Sequence, residues 1–184
     1  GFLARGISGR PALSRGADSG IGWETARILL GGGVRVVLTD LDQKSLDAAA
    51  ASLGALEGRL FAFAADVTKV ESIAKMRDKV LDAVGDIDIL VQSSGITGAK
   101  GYFHEIDDAG WTTTIEVDLM GPVRLVSEFL PSLRKGGWGR IVLLASEDGV
   151  QPYDAACPYC SSQAGVPALL QGRPRTTALA GERR

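Results

Sequence analysis

Gly16-Ala17-Asp18-Ser19-Gly20-Ile21-Gly22 joins an apolar, strand-like segment to a helix-like one. A glycine-rich turn at such a junction brings backbone N–H groups to the mouth of a helix. The helix N-terminus carries partial positive charge, so the two together seat a pyrophosphate. Glycine is needed where a Cβ would block the phosphate or the neighbouring strand. Ala12 and Leu13 lead into the turn, and Ile21, Ala26, Ile28 and Leu29 leave it as a helix face, the context such a motif needs. The next apolar run, Val34-Arg35-Val36-Val37-Leu38-Thr39, ends at Asp40. A carboxylate there can accept hydrogen bonds from both hydroxyls of an adenine ribose and would repel a 2′-phosphate, which favours NAD over NADP. Cofactor-binding candidates from this stretch are Gly16, Asp18, Ser19, Gly20, Ile21, Gly22 and Asp40. Arg15 precedes the turn and is better placed to meet the pyrophosphate than the adenosine ribose.

Outward from the turn, short apolar runs alternate with amphipathic stretches as far as about Gln171. The runs Val34–Leu38, Leu60–Ala65, Ile87–Val91 and Ile141–Ala145 are nearly all apolar, as expected of parallel strands covered on both faces. Between them Val70, Ile73, Met76, Val80 and Val84 recur at helical spacing, as do Ile115, Leu119, Val123, Val126, Leu130 and Leu133. This order predicts an α/β fold, a Rossmann-like doubly wound parallel sheet in three layers. Ligands of such sheets bind beyond the carboxyl ends of the strands, where the glycine turn lies. Pro11 conflicts with this scheme, because it removes a donor from what should be the central strand.

The chain has 184 residues, 45% of them hydrophobic, and a net charge of -2, enough for one domain with a substantial core. The basic residues are scattered, which argues against a nucleic-acid partner. No apolar run approaches the roughly 20 residues of a membrane helix. Two cysteines exclude a disulfide scaffold and make a reducing, cytoplasmic compartment the default. Residues 1–170 read as one nucleotide-binding domain. Residues 171–184 hold four Arg, two Gly and a Pro and read as an irregular basic tail. Gly1–Arg10, with two Arg and no acid, fits a clipped or incomplete start better than the remnant of a transit peptide.

Further landmarks follow in order: Asp66-Val67 after the third run, Gln92-Ser93-Ser94-Gly95 after the fourth, Asp118 in Val117-Asp118-Leu119-Met120-Gly121, Ser146 after the fifth, and Tyr159 thirteen residues later. With the glycine turn, these residues resemble the short-chain dehydrogenase/reductase family over about residues 9–170. The resemblance implies that Asp66 and Val67 contact the adenine ring and that Ser93, Ser94 and Gly95 stand where the family has Asn-Asn-Ala-Gly. It implies catalytic positions at Ser146, Tyr159, Gln163 and Asp118, and no metal. The implied activity is NAD(P)-dependent hydride transfer between a nicotinamide cofactor and a small alcohol or carbonyl. Relatives continue through at least one more strand and the substrate-binding loop and helices, so the fold is expected to be incomplete at its C-terminus. Relatives also pair the Ile115–Leu133 helix and the Tyr159 helix across a subunit interface; homo-oligomerisation here is possible but weakened by the early end.

The departures from the family are as specific as the matches. Tyr-x-x-x-Lys is replaced by Tyr159-Cys160-Ser161-Ser162-Gln163, a family Asn by Asp118, and a family Thr by Arg15. Hydride transfer at a carbonyl carbon needs proton transfer at its oxygen. A tyrosine hydroxyl has an unperturbed pKa of ~10, and a nearby cation brings it towards neutrality. Gln163 can hydrogen-bond a ribose but carries no charge, and an ionised Asp118 would work against the proton transfer. Impaired turnover follows, and the alternative is a nucleotide-binding or interaction protein without turnover, a truncated product or degenerate copy.

Cys157-Pro158-Tyr159-Cys160 matches the glutaredoxin-type dithiol motif. Two thiols so spaced near a helix start can form a redox pair. A glutaredoxin-like domain, however, needs about two more strands and a Pro loop after the motif, and 24 residues follow. Coincidence within a Tyr-bearing helix is the preferred reading. His104 is the chain's one histidine and makes no metal site by itself. The three Trp suggest packing.

Overall fold

Five apolar runs form strands: β1 (Pro11–Arg15), β2 (Arg35–Thr39), β3 (Leu60–Ala62), β4 (Ile89–Gln92) and β5 (Arg140–Leu143). In the computed structural model, which describes residues 6–54, 56 and 58–171, they pair in parallel in the order β3-β2-β1-β4-β5. The helices are α1 (Gly20–Gly31), α2 (Gln43–Ser52), α3 (Val70–Val84), α4 (Asp108–Ile115), α5 (Gly121–Lys135) and α6 (Cys157–Gln171). Alternate strand residues face opposite layers. Leu13, Val37 and Leu90 pack with Ile73, Met76 and Val80 of α3 and with Leu125, Phe129 and Leu133 of α5. Ala12, Val36, Leu38, Ile89 and Val91 pack with Ala26 and Leu30 of α1 and Leu46 and Ala49 of α2. The result is the doubly wound, three-layer Rossmann-like sheet that the alternation predicts.

Pro11 is accommodated because it is the first residue of β1. Its carbonyl still accepts from Asp88 N–H (2.9 Å), and Arg35 N–H pairs with Arg10 instead (3.0 Å). A strand start is where the ladder tolerates proline.

Two expectations need correction. The runs Leu60–Ala65 and Ile141–Ala145 are not covered on both faces. They form the two edge strands, half-buried in β3, with Val142 of β5 47% exposed. The second correction concerns the helix before β5. Ile115, Leu119, Val123, Val126 and Leu130 are only half-buried; the buried stripe is Thr114, Asp118, Gly121, Pro122, Leu125, Phe129 and Leu133. That stripe begins with polar and small residues, which hydropathy passes over. It also crosses a π-helical segment, Glu116–Met120, inserted between α4 and α5, and a π-bulge shifts the helical phase.

α6 extends through Gln171, which composition placed first in the basic tail; residues 172–184 and 1–5 lie outside the described residues. No described helix is long and apolar enough to cross a membrane. The tryptophans have packing partners: Trp23 Nε1–H donates to Ser52 Oγ (3.0 Å), Phe103 meets Trp111 edge-on, and Arg10 lies over Trp138 at 3.9 Å.

Candidate nucleotide site and adjoining pocket

The glycine turn sits where β1 meets α1, at the carboxyl edge of the sheet. Two of its glycines are fixed by close approach: a Cβ on Gly22 would lie 2.0 Å from Gly16 O, and one on Gly16, at φ +78°, would lie 2.6 Å from Ser94 Cβ. Gly20, at φ +55°, meets no heavy atom within 4 Å, so its missing side chain leaves open space. The α1 N-terminus is uncapped by any side chain. Ser19, at the cap position, turns its hydroxyl to Asp18 Oδ1 (3.1 Å). By contrast Asp42 accepts from Ser45 N–H at α2 (2.7 Å) and Asp107 from Gly110 N–H at α4 (2.8 Å). The first N–H groups of α1 are thus free for an anion, and the open space at Gly20 lets one approach. These features fit a dinucleotide pyrophosphate.

A cavity of about 470 Å³ opens in front of this turn. Gly16, Asp18, Ser19, Gly20, Ile21, Gly22, Asp40, Asp66, Val67, Ser93, Ser94 and Gly95 all line it. Asp40 stands one residue beyond β2, its Oδ1 accepting from Leu41 N–H (2.7 Å). The Asp66 carboxylate is already engaged: it accepts from the Thr68 hydroxyl (2.6 Å) and N–H (3.0 Å) and pairs with Lys69 (2.9 Å). These contacts, the Thr68 hydroxyl first and Lys69 next, hold its pKa down to about 2. Val67 turns its side chain into the core and its carbonyl accepts from Arg124 Nη1 (3.1 Å), so its N–H is the polar group it can offer the cavity. Ser93 Oγ donates to Arg15 O (2.7 Å), tying β1 to the strand-end loop after β4.

Arg15 lines the same cavity, at the foot of the glycine turn. It is 6% exposed, its Nη1 is 3.4 Å from Ser94 O, and its Nε–H has no acceptor. Burial lowers its pKa, opposed by the charges of Asp40, then Asp118, then Asp66. The sequence signal was available: a long cation at the end of a central strand has nowhere to go but the carboxyl edge.

A second cavity, of about 350 Å³, is lined by Ser146, Tyr159 and Gln163 together with Leu144, Ala145 and Thr97. It shares Ile21, Ser93, Ser94, Gly95 and Ile96 with the first, so the two form one cleft. Ser146 caps a short 3₁₀ turn, Glu147–Gly149; its hydroxyl donates to Asp148 Oδ1 (2.9 Å). Gln163 is 6% exposed, and its Oε1 accepts from Ser146 N–H (3.0 Å). Its carbonyl oxygen is therefore committed to the Ser146 backbone. Asp118 is not in the cleft wall. It lies beneath it on the π-helical segment, 1% exposed, with Oδ1 accepting from Ile96 N–H (2.8 Å) and Oδ2 without a partner. Burial raises its pKa, with the Ile96 N–H and Arg15 acting the other way. Ser146, Tyr159 and Gln163 come together; Asp118 supports the loop between the two cavities from below. Among the described residues no cluster of His, Cys, Asp or Glu has the makings of a metal site.

Comparison with known proteins agrees with this architecture. The family profile described as short chain dehydrogenase matches residues 11–178. A cis-4-hydroxycyclohexanecarboxylate dehydrogenase from Sinomonas cyclohexanicum is 33% identical, over 98% of this chain and 72% of the relative. Among solved structures, an NAD+-bound xylitol dehydrogenase superposes with a TM-score of 0.84 at 25% identity, covering 90% of this chain and 64% of that one. A metagenomic short-chain oxidoreductase in complex with NADP does so with a TM-score of 0.83 at 33% identity, covering 90% and 75%. The chain belongs to the short-chain dehydrogenase family. It spans between 62% and 72% of the first three relatives it matches.

Proposed function

We propose that the chain binds a nicotinamide dinucleotide along this cleft and is an oxidoreductase of alcohols or carbonyls. The observation that carries the reading is the continuity of the cleft, from the uncapped α1 N-terminus to Ser146 and Tyr159. The first N–H groups of α1 would hold the pyrophosphate, Asp40 the adenosine ribose, and the Val67 N–H the adenine edge. A bound nicotinamide supplies hydride transfer. Tyr159 would then give or take the proton at the substrate oxygen, and the Ser146 hydroxyl would donate to that oxygen after leaving Asp148. Asp40 supports NAD over NADP, since its carboxylate opposes a 2′-phosphate; relatives of this fold bind either.

Turnover is expected to be slow. Gln163 brings no cation to Tyr159, and a mistuned acid–base group costs ~10²–10⁴-fold in rate. The second reading, nucleotide binding without turnover, draws support from Gln163 and Asp148, which already hold the N–H and hydroxyl of Ser146. Fluorescence titration with NADH and NADPH, followed by alcohol oxidation with NAD, tests both. Tighter NADH binding with measurable oxidation is expected. Binding without oxidation selects the second reading, tighter NADPH binding overturns the role given to Asp40, and binding of neither overturns the site.

A further inference from the structure

The chain's two cysteines lie three residues apart in the first turn of α6, on either side of Tyr159. Cys157 is the first helical residue and half-buried; Cys160 is 5% exposed. Cys160 N–H donates to Ala156 O (2.9 Å), so the turn between them is closed. Side chains three apart on a helix share a face, with Cβ atoms about 5–6 Å apart. Their Cα atoms are about 5 Å apart by helix geometry, within the range a disulfide spans; the Cβ atoms must close by roughly 1–2 Å.

The local backbone permits that closure. The Cys157 N–H, in the first turn, has no intrahelical acceptor, and Pro158 has no N–H at all, so Cys157 can shift towards Cys160 while the Cys160 N–H keeps its bond to Ala156 O. Ala155, just upstream, is at φ 60°, the one described non-glycine residue with positive φ. The hydrogen bond of the Cys160 thiol is a long one, to Tyr153 O at 3.9 Å, and turning the sulfur towards Cys157 gives up little of it.

We propose that Cys157 and Cys160 form a reversible dithiol–disulfide site whose oxidant is a small-molecule disulfide. Cys157, the accessible sulfur, attacks the disulfide RSSR as its thiolate; the S–S bond breaks, a Cys157–S–S–R bond forms, and one RS⁻ leaves and takes up a proton. Cys160 gives its proton to water and attacks Cys157 Sγ, forming the intramolecular bond and expelling the second RS⁻. The protein loses two electrons and two protons, and RSSR becomes two RSH. The burial of Cys160 suits it to this second, internal step and not to the first. The site does not depend on the nucleotide reading.

The test is intact-mass spectrometry of the reduced full-length chain after incubation with oxidised glutathione, followed by dithiothreitol. The expected product is a monomer lighter by two hydrogens, with Cys157 and Cys160 linked in the peptide map, and dithiothreitol restores the starting mass. Cys160→Ser should accumulate one glutathionyl group at Cys157, and Cys157→Ser should incorporate glutathione at least about tenfold more slowly. A wild-type chain that keeps its mass, or that accumulates glutathionyl adducts without the internal link, overturns the proposal and requires no variant to fold. Equal reactivity of the two variants overturns the assigned order of attack.

Discussion

Asp118 and Arg15 are two buried ionic groups of opposite sign at the carboxyl edge of the sheet, each with a polar atom left unpartnered. Asp118 has its pKa raised by burial, so folding penalises its charged form. Its contribution to stability is complete below the unfolded carboxylate value and is lost as pH rises through the folded one. Asp118→Asn removes that loss while the amide oxygen still accepts from Ile96 N–H. The variant should match wild type near pH 4 and exceed it at pH 7, by about 1 kcal/mol or 2–4 °C in Tm. The gain should be larger in an Arg15→Thr background, where no guanidinium offsets the carboxylate; thermal melts of a double-mutant cycle measure the coupling. An equal gain in both backgrounds would show the two charges to be independent. Gln163 acts through its carbonyl, so Gln163→Leu and Gln163→Lys both strand the Ser146 N–H, at about 1–3 kcal/mol. A lysine there therefore trades stability for charge: any faster alcohol oxidation should come with a lower Tm. A Gln163→Lys variant as stable as wild type would contradict the assigned hydrogen bond.

Among elements, the turn into α3 offers a pH signature. The Asp66 carboxylate accepts from Thr68 and pairs with Lys69, and its pKa is held at about 2 against the ordinary 3.8. A depressed carboxylate adds stability above its unfolded value and loses it as pH falls through the folded one. Asp66→Asn should cost about 1 kcal/mol at pH 7, less than the full shift implies because the side chain keeps 25% of its surface in water. The difference should close between pH 4 and pH 2 in urea melts. The β1–α1 turn separates packing from ligand access. Gly22→Ala drives a Cβ into the Gly16 carbonyl and should unfold or severely destabilise the chain. Gly20→Ala meets no atom but carries the strain of φ +55°, about 1–2 kcal/mol. It should still fold, and bind NADH more weakly because its methyl enters the anion seat. Circular dichroism melts and NADH titration distinguish these outcomes.

For the molecule as a whole, β5 is an edge with no partner on its outer side among the described residues, and Val142 is 47% exposed there. An open apolar edge strand invites pairing with another chain. Val142→Lys should leave the melting curve within about 0.5 kcal/mol and reduce concentration-dependent light scattering. Unchanged scattering would place self-association elsewhere, with the half-buried Val123, Val126 and Leu130 of α5 the next surface to vary.

The sequence by itself determined the alternation of strands and helices, the three-layer class and the glycine turn, because unbroken apolar runs, period-3.6 apolar patterns and glycine spacing are local properties of the chain. It also exposed the departures at Arg15, Asp118 and Gln163, each a change of charge or length visible in one letter. Tertiary structure alone decided what those letters do. Asp118 left the cleft because a π-bulge turned it beneath the loop at Gly95 and Ile96. Gln163 became the acceptor for Ser146 N–H because α6 packs against the 3₁₀ turn Glu147–Gly149 that Ser146 caps. Arg15, whose place at the end of the central strand already pointed to the carboxyl edge, was left 6% exposed there with its Nε–H unpartnered. The burial of the edge strands and the true stripe of α5 were likewise unreadable, since both depend on which neighbour is present and not on the apolarity of the run itself.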